Sequence, residues 1–139
     1  MTVRHALPAD AEALWRLNRE FNGDTGVTPE MIARALRENA GEIVLLAEDD
    51  GKAVGFACAR VSASMCYPDK MGELTEMYVC PNARRRGAGE ALVRAAVAAM
   101  RSAGAEEITV LTGETNAPAQ ALYEKCGFRP SGERHFEIS

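Results

Sequence analysis

The chain lacks the residue patterns typical of metal, redox, membrane and nucleic-acid-binding proteins. Its four cysteines show no Cys-x-x-Cys spacing, and its two histidines, His5 and His135, lie near opposite ends, so no metal site is expected. No apolar run approaches the length of a membrane span, and the first residues hold no signal-peptide core. The net charge of −4 offers no basic footprint for nucleic acid or an anionic membrane surface. These absences predict a cytoplasmic protein with reduced thiols and with neither nucleic acid nor membrane as its partner.

The residues that are present predict a single folded domain. Hydrophobic residues make up 47% of the chain and charged residues 26%, which is ordinary for a globular protein. A chain of 139 residues can bury roughly two thirds of its unfolded surface in one core. We therefore expect one domain over residues 1–139.

In the predicted order of elements, strands dominate the first part of the chain, and strands and helices alternate in the second part. Turn, cap and periodicity signals predict strands at 2–5, 43–47, 54–61, 74–80 and 108–111, helices at 11–21, 28–41 (ended by Gly41), 86–103 and 118–126, and a closing hairpin at 128–129 and 134–138. A strand, helix and strand in succession imply a right-handed crossover between parallel neighbours. This order fits the α/β (α+β) class, with a mixed, mostly antiparallel twisted sheet and helices on both faces.

One stretch, from Glu73 to Leu92, combines a strand, a turn and the start of a helix. Pro81-Asn82 stops the strand, and three arginines then lead into Gly87-Ala88-Gly89. Glycines at a helix start let a ligand approach N–H groups that lack intrahelical partners and lie at the positive end of the helix dipole. The dinucleotide fingerprint fails because Leu92 stands where it needs a third glycine, and no Gly-Lys-Ser/Thr of a Walker loop follows. An anion site remains, and a phosphate is the expected anion.

Two motifs in this order resemble those of one enzyme superfamily. Arg84-x-x-Gly87-x-Gly89 after a strand resembles the Arg/Gln-x-x-Gly-x-Gly/Ala motif with which GNAT N-acetyltransferases hold the pyrophosphate of acetyl-coenzyme A. Downstream, the segment 115–128, Thr-Asn-x-x-Ala-x-x-Leu-Tyr-x-x-x-Gly-Phe, resembles the superfamily's second block. The resemblance covers nearly the whole chain, although the N-terminal third matches only in pattern. It implies a GNAT-like sheet with splayed central parallel strands and direct acetyl transfer from acetyl-coenzyme A to a primary amine.

The resemblance assigns the cosubstrate to three segments. The pantetheine arm is expected along Met77, Tyr78 and Val79, where backbone N–H groups polarise the acetyl carbonyl if the strands splay. The pyrophosphate is expected on the amides of Arg86, Gly87, Ala88, Gly89 and Glu90. Arg84 and Arg85 would add charge-assisted bonds, although Arg85 stands where many relatives carry another glycine. Asn116 is expected to cap its helix and also to contact the pantetheine.

The resemblance also names a general acid and leaves the general base open. On pattern alone Tyr123 is a core tyrosine, but its match to the superfamily motif makes it the acid that protonates the coenzyme A sulfur. Two glutamates, Glu73 and Glu76, match positions where relatives place a base or an acid near the acceptor. Because they differ in strand parity, they are expected on opposite faces of the sheet, so that only one can face the acceptor.

The sequence specifies the acceptor-binding residues and the oligomeric state less closely than it specifies the cosubstrate site. The break between the first two helices is where the superfamily shapes its acceptor pocket, so Phe21 and Asp24 are candidates for substrate contact, and a solvated loop is the alternative. The acceptor is a small polyamine-like or aminoglycoside-like amine, or a lysine side chain. A catalytically silent acyl-coenzyme A-binding or regulatory module is the alternative function. A homodimer is left open.

Overall fold

The computed structural model describes residues 1–38 and 41–139, and within these ranges it contains five strands and four helices. In chain order they are β1 Thr2–His5, α1 Ala11–Asn22, α2 Pro29–Glu38, β2 Glu42–Asp49, β3 Lys52–Ser62, β4 Lys70–Val79, α3 Ala88–Ser102, β5 Ala105–Val110 and α4 Ala117–Lys125. No helix in these ranges is long and apolar enough to cross a membrane. The end predicted for the second helix, Gly41, follows two residues that lie outside the described part of the chain.

The five strands form one sheet in the order β1-β2-β3-β4-β5. The first three pairings are antiparallel, and only β4 and β5 run parallel. The β2–β3 hairpin turns at Asp50 and Gly51, whose φ angles of 54° and 78° define the left-handed turn that matches the twist of paired strands. The predicted mixed, mostly antiparallel sheet is therefore confirmed.

Helices cover both faces of this sheet, as predicted. On one face α3 packs its inward residues against the strands, and Ala88, Leu92, Ala96 and Met100 recur at helical spacing with almost no exposure. On the other face α1 contributes Leu14 and Leu17 to a second cluster with strand residues Leu46, Phe56 and Tyr78. The two faces alternate along each strand, which places consecutive residues in different cores.

A β-bulge in β4 separates the two parallel strands. The β3–β4 register pairs Ala59 with Leu74 and Cys58 with Glu76, so Thr75 is left over as the extra residue. The Thr75 hydroxyl donates to the Cys58 carbonyl at 3.1 Å. Pairing between β4 and β5 ends at Leu74 and Val110, directly before the bulge. The rest of β4 therefore continues without β5 beside it, which confirms the predicted splay.

The predicted start of α3 at Arg86 is wrong by two residues. Arg85 and Gly87 have φ angles of 67° and 86°, which lie in the left-handed region and cannot belong to a right-handed helix. The helix consequently begins at Ala88, with Gly87 as its N-cap.

The predicted closing hairpin at 128–129 and 134–138 is also wrong, because in the part of the chain that the structure describes no strand follows α4. Its first arm is only two residues long and adjoins Pro130, which cannot donate to a ladder. A short isolated hairpin is marginal in water. Residues 129–139 are instead exposed along their whole length.

Arg85 offers a test of backbone strain at the start of α3. A non-glycine residue in the left-handed region costs roughly 1–2 kcal/mol, and the greater freedom of glycine in the unfolded chain offsets part of any gain. We expect Arg85→Gly to raise the free energy of unfolding by up to about 1 kcal/mol, measured by urea denaturation. Arg129→Gly, at an exposed position without a positive φ, is the matched control and should give no gain. Equal effects of the two substitutions would contradict the assignment of strain to Arg85.

Candidate active site

A cavity of about 260 Å³ opens where β4 and β5 part. Its walls come from the bulged segment of β4, the turn after β5, the first half of α4 and the end of α1. The lining residues are Phe21, Leu74, Thr75, Glu76, Met77, Val110, Leu111, Thr112, Gly113, Asn116, Ala119 and Tyr123. The fold thus brings together five residues that the sequence singled out over a span of about a hundred positions, namely Phe21, Glu76, Met77, Asn116 and Tyr123.

Tyr123 reaches this cavity from α4. Asn116 caps the helix, because its Oδ1 accepts the Ala119 N–H at 3.2 Å, and this confirms the predicted N-cap. The Tyr123 ring is 9% exposed and packs edge-on against Phe128, with 5.9 Å between ring centroids. Burial raises the pKa of the phenol, and the nearby Cys126 adds to the shift. The hydroxyl therefore stays protonated at neutral pH and can act as a proton donor.

The bulge at Thr75 overturns the predicted orientation of the two glutamates. Glu73 pairs with Arg60 and Glu76 pairs with Cys58, and these partners lie two residues apart on β3. Because cross-strand partners share a face and alternate residues of a strand do too, Glu73 and Glu76 lie on the same face of the sheet. Strict alternation along the strand predicted that the two side chains lie on opposite faces of the sheet. The extra residue of the bulge shifts the alternation by one, so this prediction is wrong.

The two glutamates differ in their position along β4 and not in the face of the sheet on which they lie. Glu76 lines the cavity, whereas Glu73 lies before the bulge, beside Arg60 in the register and outside the lining. Partial loss of hydration raises the pKa of Glu76, and the negative charge of Glu42 on β2 raises it further. A carboxylate whose pKa is raised is a stronger base than an ordinary glutamate. The geometry therefore favours Glu76 over Glu73 as the group that takes a proton from an acceptor.

We expect Glu76→Gln to lower kcat/KM by about a hundredfold, because among the described residues that line the cavity it removes the only carboxylate. In the unchanged enzyme, kcat/KM should fall as pH drops through a pKa above the usual glutamate range, since protonated Glu76 cannot accept a proton. This acid limb should weaken in Glu76→Gln, as recorded in a pH–rate profile on one acceptor. Glu73→Gln is the matched control and should retain most activity. A large loss in Glu73→Gln with normal activity in Glu76→Gln would contradict the choice of Glu76.

The start of α3 has the geometry of an anion site beside the end of β4. The first helical hydrogen bond runs from Ala91 N–H to the Gly87 carbonyl at 2.9 Å, so the N–H groups of Ala88, Gly89 and Glu90 precede the intrahelical ladder. A Cβ on Gly87 would meet nothing within 4 Å, so this glycine is required by its φ of 86° and leaves open space beside the backbone. Both the free donors and the helix dipole favour a negative group here.

Gly89 has a different role from Gly87. A Cβ on Gly89 would lie 3.2 Å from Leu122 Cδ2 and 3.9 Å from Met77 Cε. Its bare backbone therefore faces the interior, where it permits close packing of α3 against α4 and β4. Open space beside the backbone is thus present at Gly87, and contact between the Gly89 N–H and a ligand stays a prediction.

Two arginines of the loop between β4 and α3 fix this loop to neighbouring strands. Arg84 Nε donates to the Val79 carbonyl at 2.9 Å, and its guanidinium carbon lies 5.8 Å from the centre of the Tyr78 ring. Arg86 forms an ion pair with Asp49 at 2.8 Å, which links the loop to the β2–β3 hairpin. These contacts fix the position of the helix start relative to β4. A direct role of Arg84 or Arg85 toward a phosphate stays a prediction.

Tyr78 and Phe21 connect α1 to the cavity. The Tyr78 hydroxyl donates to Glu20 Oε1 at 3.1 Å, and its ring stacks on Phe21 with 5.2 Å between centroids. These contacts hold Phe21 at the cavity wall. Asp24, the second acceptor candidate, lies outside the lining, with its side chain 70% exposed and its Oδ1 accepting the Gly26 N–H at 3.0 Å. The structure thus places Phe21 at the site and Asp24 in the loop that was the alternative.

Among the residues of this region that sequence reasoning missed, Thr75 and Glu42 have the largest effect on the geometry and charge of the site. The spacing of apolar residues in β4, at Leu74, Met77 and Val79, departs from strict alternation and could have indicated the bulge. Glu42 pairs with Arg60 in the register of β2 and β3, and its charge acts on both Cys58 and Glu76, whose pKa values it raises. No local pattern marks that contact.

Comparisons with known proteins agree with this geometry. Residues 10–128 match the model of the Acetyltransferase (GNAT) family. The chain is 32% identical over 133 residues to the uncharacterized N-acetyltransferase YhfO of Bacillus subtilis strain 168, covering 92% of this chain and 89% of that protein. It is 33% identical over 132 residues to an aminoglycoside N(6')-acetyltransferase type 1 of Stenotrophomonas maltophilia, covering 91% and 85%.

A solved structure shows the same fold. An aminoglycoside acetyltransferase from an uncultured soil metagenomic sample, crystallised with sisomicin, superposes with a TM-score of 0.83 at 18% identity, over 99% of this chain and 95% of that chain. The chain therefore belongs to the GNAT acetyltransferase family, and it is an N-acetyltransferase.

Proposed function

We propose that the enzyme uses acetyl-coenzyme A to acetylate the primary amine of a small cationic molecule, of the polyamine or aminoglycoside type, with a lysine side chain as the other candidate acceptor. The observation that carries the proposal is that Tyr123 and Glu76 both line the cavity beside the end of β4 that β5 does not pair. The carboxylate of Glu76 favours a positively charged acceptor. A relative that acts on aminoglycosides supports the same class.

The proposed chemistry assigns one proton movement to each side chain. Glu76 takes a proton from the acceptor ammonium, so that the free amine can attack the thioester carbonyl. Backbone N–H groups of Met77 to Val79, on the side where β5 has parted, stabilise the oxyanion. Tyr123 gives its proton to the thiolate as the carbon–sulfur bond breaks. The products are the acetylated amine and coenzyme A, and no metal takes part.

The segments proposed for the cosubstrate are those that the sequence indicated. The pantetheine lies along Met77, Tyr78 and Val79 and contacts Asn116, and the pyrophosphate lies on the N–H groups at the start of α3. Support comes from the open space at Gly87 and from the free edge of β4 beyond Thr75. The cavity and the helix start both adjoin this part of β4, which is the arrangement that an extended cosubstrate needs.

An amine panel tests the proposal. Purified enzyme is incubated with acetyl-coenzyme A and a set of polyamines, aminoglycosides and lysine peptides, and release of the free thiol is recorded together with the mass of the acetylated product. We expect turnover with at least one multiply charged small amine and little with neutral amines. Saturable binding of coenzyme A without transfer to any amine would overturn the proposed reaction and leave the silent binding module. Transfer to lysine peptides alone would overturn the small-molecule acceptor.

Several further predictions from the sequence belong to this proposal. We propose one catalytic domain over residues 1–139, a cytoplasmic location, and function without nucleic acid or membrane as partner. The homodimer that the sequence left open stays a prediction.

A further inference from the structure

Arg85 adopts a backbone conformation that is unfavourable for arginine. Its φ of 67° lies in the left-handed region, where a side chain with a Cβ is strained. In the described ranges the other non-glycine residue with a positive φ is Asp50, which forms the β2–β3 hairpin turn and belongs to a residue type that tolerates this region. No such turn preference explains Arg85. Strain of this kind concentrates at functional sites, so the side chain of Arg85 is a candidate for a function.

No contact with the described residues accounts for this side chain. Its neighbours in the loop, Arg84 and Arg86, are held by the Val79 carbonyl and by the carboxylate of Asp49. The side chain of Arg85 is exposed and forms no hydrogen bond or ion pair with any residue that the structure describes. The guanidinium of Arg85 is therefore free to bind a ligand at this loop.

The charge of Arg85 adds to that of the helix start beside it. Arg85 precedes Gly87, the N-cap of α3, by two residues, so their Cα atoms are at most about 7 Å apart. Glu90, the acid in the first turn of α3, forms ion pairs with Arg94 at 3.0 Å and with Lys125 at 2.8 Å. Because these two cations balance the Glu90 carboxylate, the positive charge of Arg85 remains available to an anion.

Acetyl-coenzyme A carries two separate phosphate groups, a pyrophosphate and a single phosphate on the ribose. The N–H groups at the start of α3 suit the pyrophosphate. The ribose phosphate lies one sugar ring further away, and it is the group that dephospho-coenzyme A lacks. A guanidinium forms two parallel hydrogen bonds to a phosphate, and a long side chain at the rim of the helix start can reach beyond the backbone donors.

We propose that Arg85 binds the ribose phosphate of acetyl-coenzyme A and thereby makes the enzyme select this cosubstrate over its dephosphorylated form. The inference rests on the proposed use of acetyl-coenzyme A and adds to it the group that Arg85 recognises. It also accounts for arginine at a strained position, because binding of the phosphate offsets the backbone cost in the enzyme that holds its cosubstrate. Arg85→Gly should therefore gain stability as the free enzyme and lose the selectivity.

Isothermal titration calorimetry with coenzyme A and dephospho-coenzyme A tests the proposal without turnover. We expect the unchanged enzyme to bind coenzyme A about tenfold more tightly than dephospho-coenzyme A. In Arg85→Gln this preference should fall to within about twofold, through weaker binding of coenzyme A alone. Arg85→Lys should keep part of the preference, because it retains the charge and loses the planar pair of donors. Arg37→Gln, at an exposed position of α2 on the other face of the sheet, is the matched control and should keep the full preference.

The outcomes separate this inference from the proposed function. Equal weakening of both ligands in Arg85→Gln would place the guanidinium on the pyrophosphate and overturn the inference. A preference that persists in Arg85→Gln, or that is absent from the unchanged enzyme, would overturn it as well. Failure of the unchanged enzyme to bind coenzyme A at all would overturn the proposed cosubstrate, and this inference with it. Urea denaturation of each variant controls for folding, and Arg85→Gly, which is expected to be at least as stable as the unchanged enzyme, should show the same loss of preference.

Discussion

Substituting Gly87 by glutamate is expected to weaken acetyl-coenzyme A binding by more than about tenfold, or at least about 1.4 kcal/mol. Gly87 is the N-cap of α3, and a side chain there would enter the open space beside the free N–H groups. A carboxylate in that space would occupy the site proposed for the pyrophosphate and repel it. Its own attraction to the helix start would add to the competition. Isothermal titration calorimetry measures the change directly.

A glycine at the other end of α3 provides the control for the backbone strain that Gly87→Glu introduces. Gly104, just after α3, has a φ of 99°, and a Cβ there would lie 3.5 Å from the Lys70 side chain. It lies at the other end of a helix of 15 residues, about 22 Å away. Gly104→Glu therefore brings a comparable strain and the same charge without reaching the start of α3. Equal acetyl-coenzyme A affinity in folded Gly87→Glu and in the unchanged enzyme would remove the proposed pyrophosphate site.

Local signals explain why so much of the fold could be predicted. The strand before Pro81, the hairpin turn at Asp50-Gly51 and the cap at Asn116 are each specified by residues close in sequence, and the structure has each of them. The element order then limits the topology, because the crossover from β4 to β5 must be right-handed. The two motifs lie on the elements where the sequence placed them.

Several features that the sequence did not specify depend on contacts between distant segments. Whether Glu73 and Glu76 share a face depends on one extra residue, Thr75, and a bulge is defined only against a partner strand. The inward role of Gly89 depends on Leu122 in another helix. The closing hairpin required a partner for each arm, and alternation at 135–138 predicts the tendency to pair without naming the partner. Within a single sequence these relations leave little local trace.

Tyr123→Phe is expected to lower turnover by roughly tenfold to a thousandfold while leaving coenzyme A affinity nearly unchanged. The substitution removes one hydroxyl and almost no volume, so the edge-on contact with Phe128 and the packing of α4 should persist. Because burial raises the pKa of Tyr123, its alkaline limb should lie above the reference value of about 10. That limb should be absent in the variant. Water can replace the phenol in part, which sets the lower end of the range.

Tyr67→Phe is the matched control, because Tyr67 is 64% exposed in the connection before β4 and lies outside the cavity lining. It removes the same hydroxyl from the same residue type and should leave turnover unchanged. The comparison requires an acceptor for which the chemical step limits the rate, since slow product release would hide the loss of the acid. If Tyr123→Phe then turned over as fast as Tyr67→Phe, Tyr123 would be a core residue whose burial serves packing alone. The proton for the departing thiolate would have to come from solvent or another group.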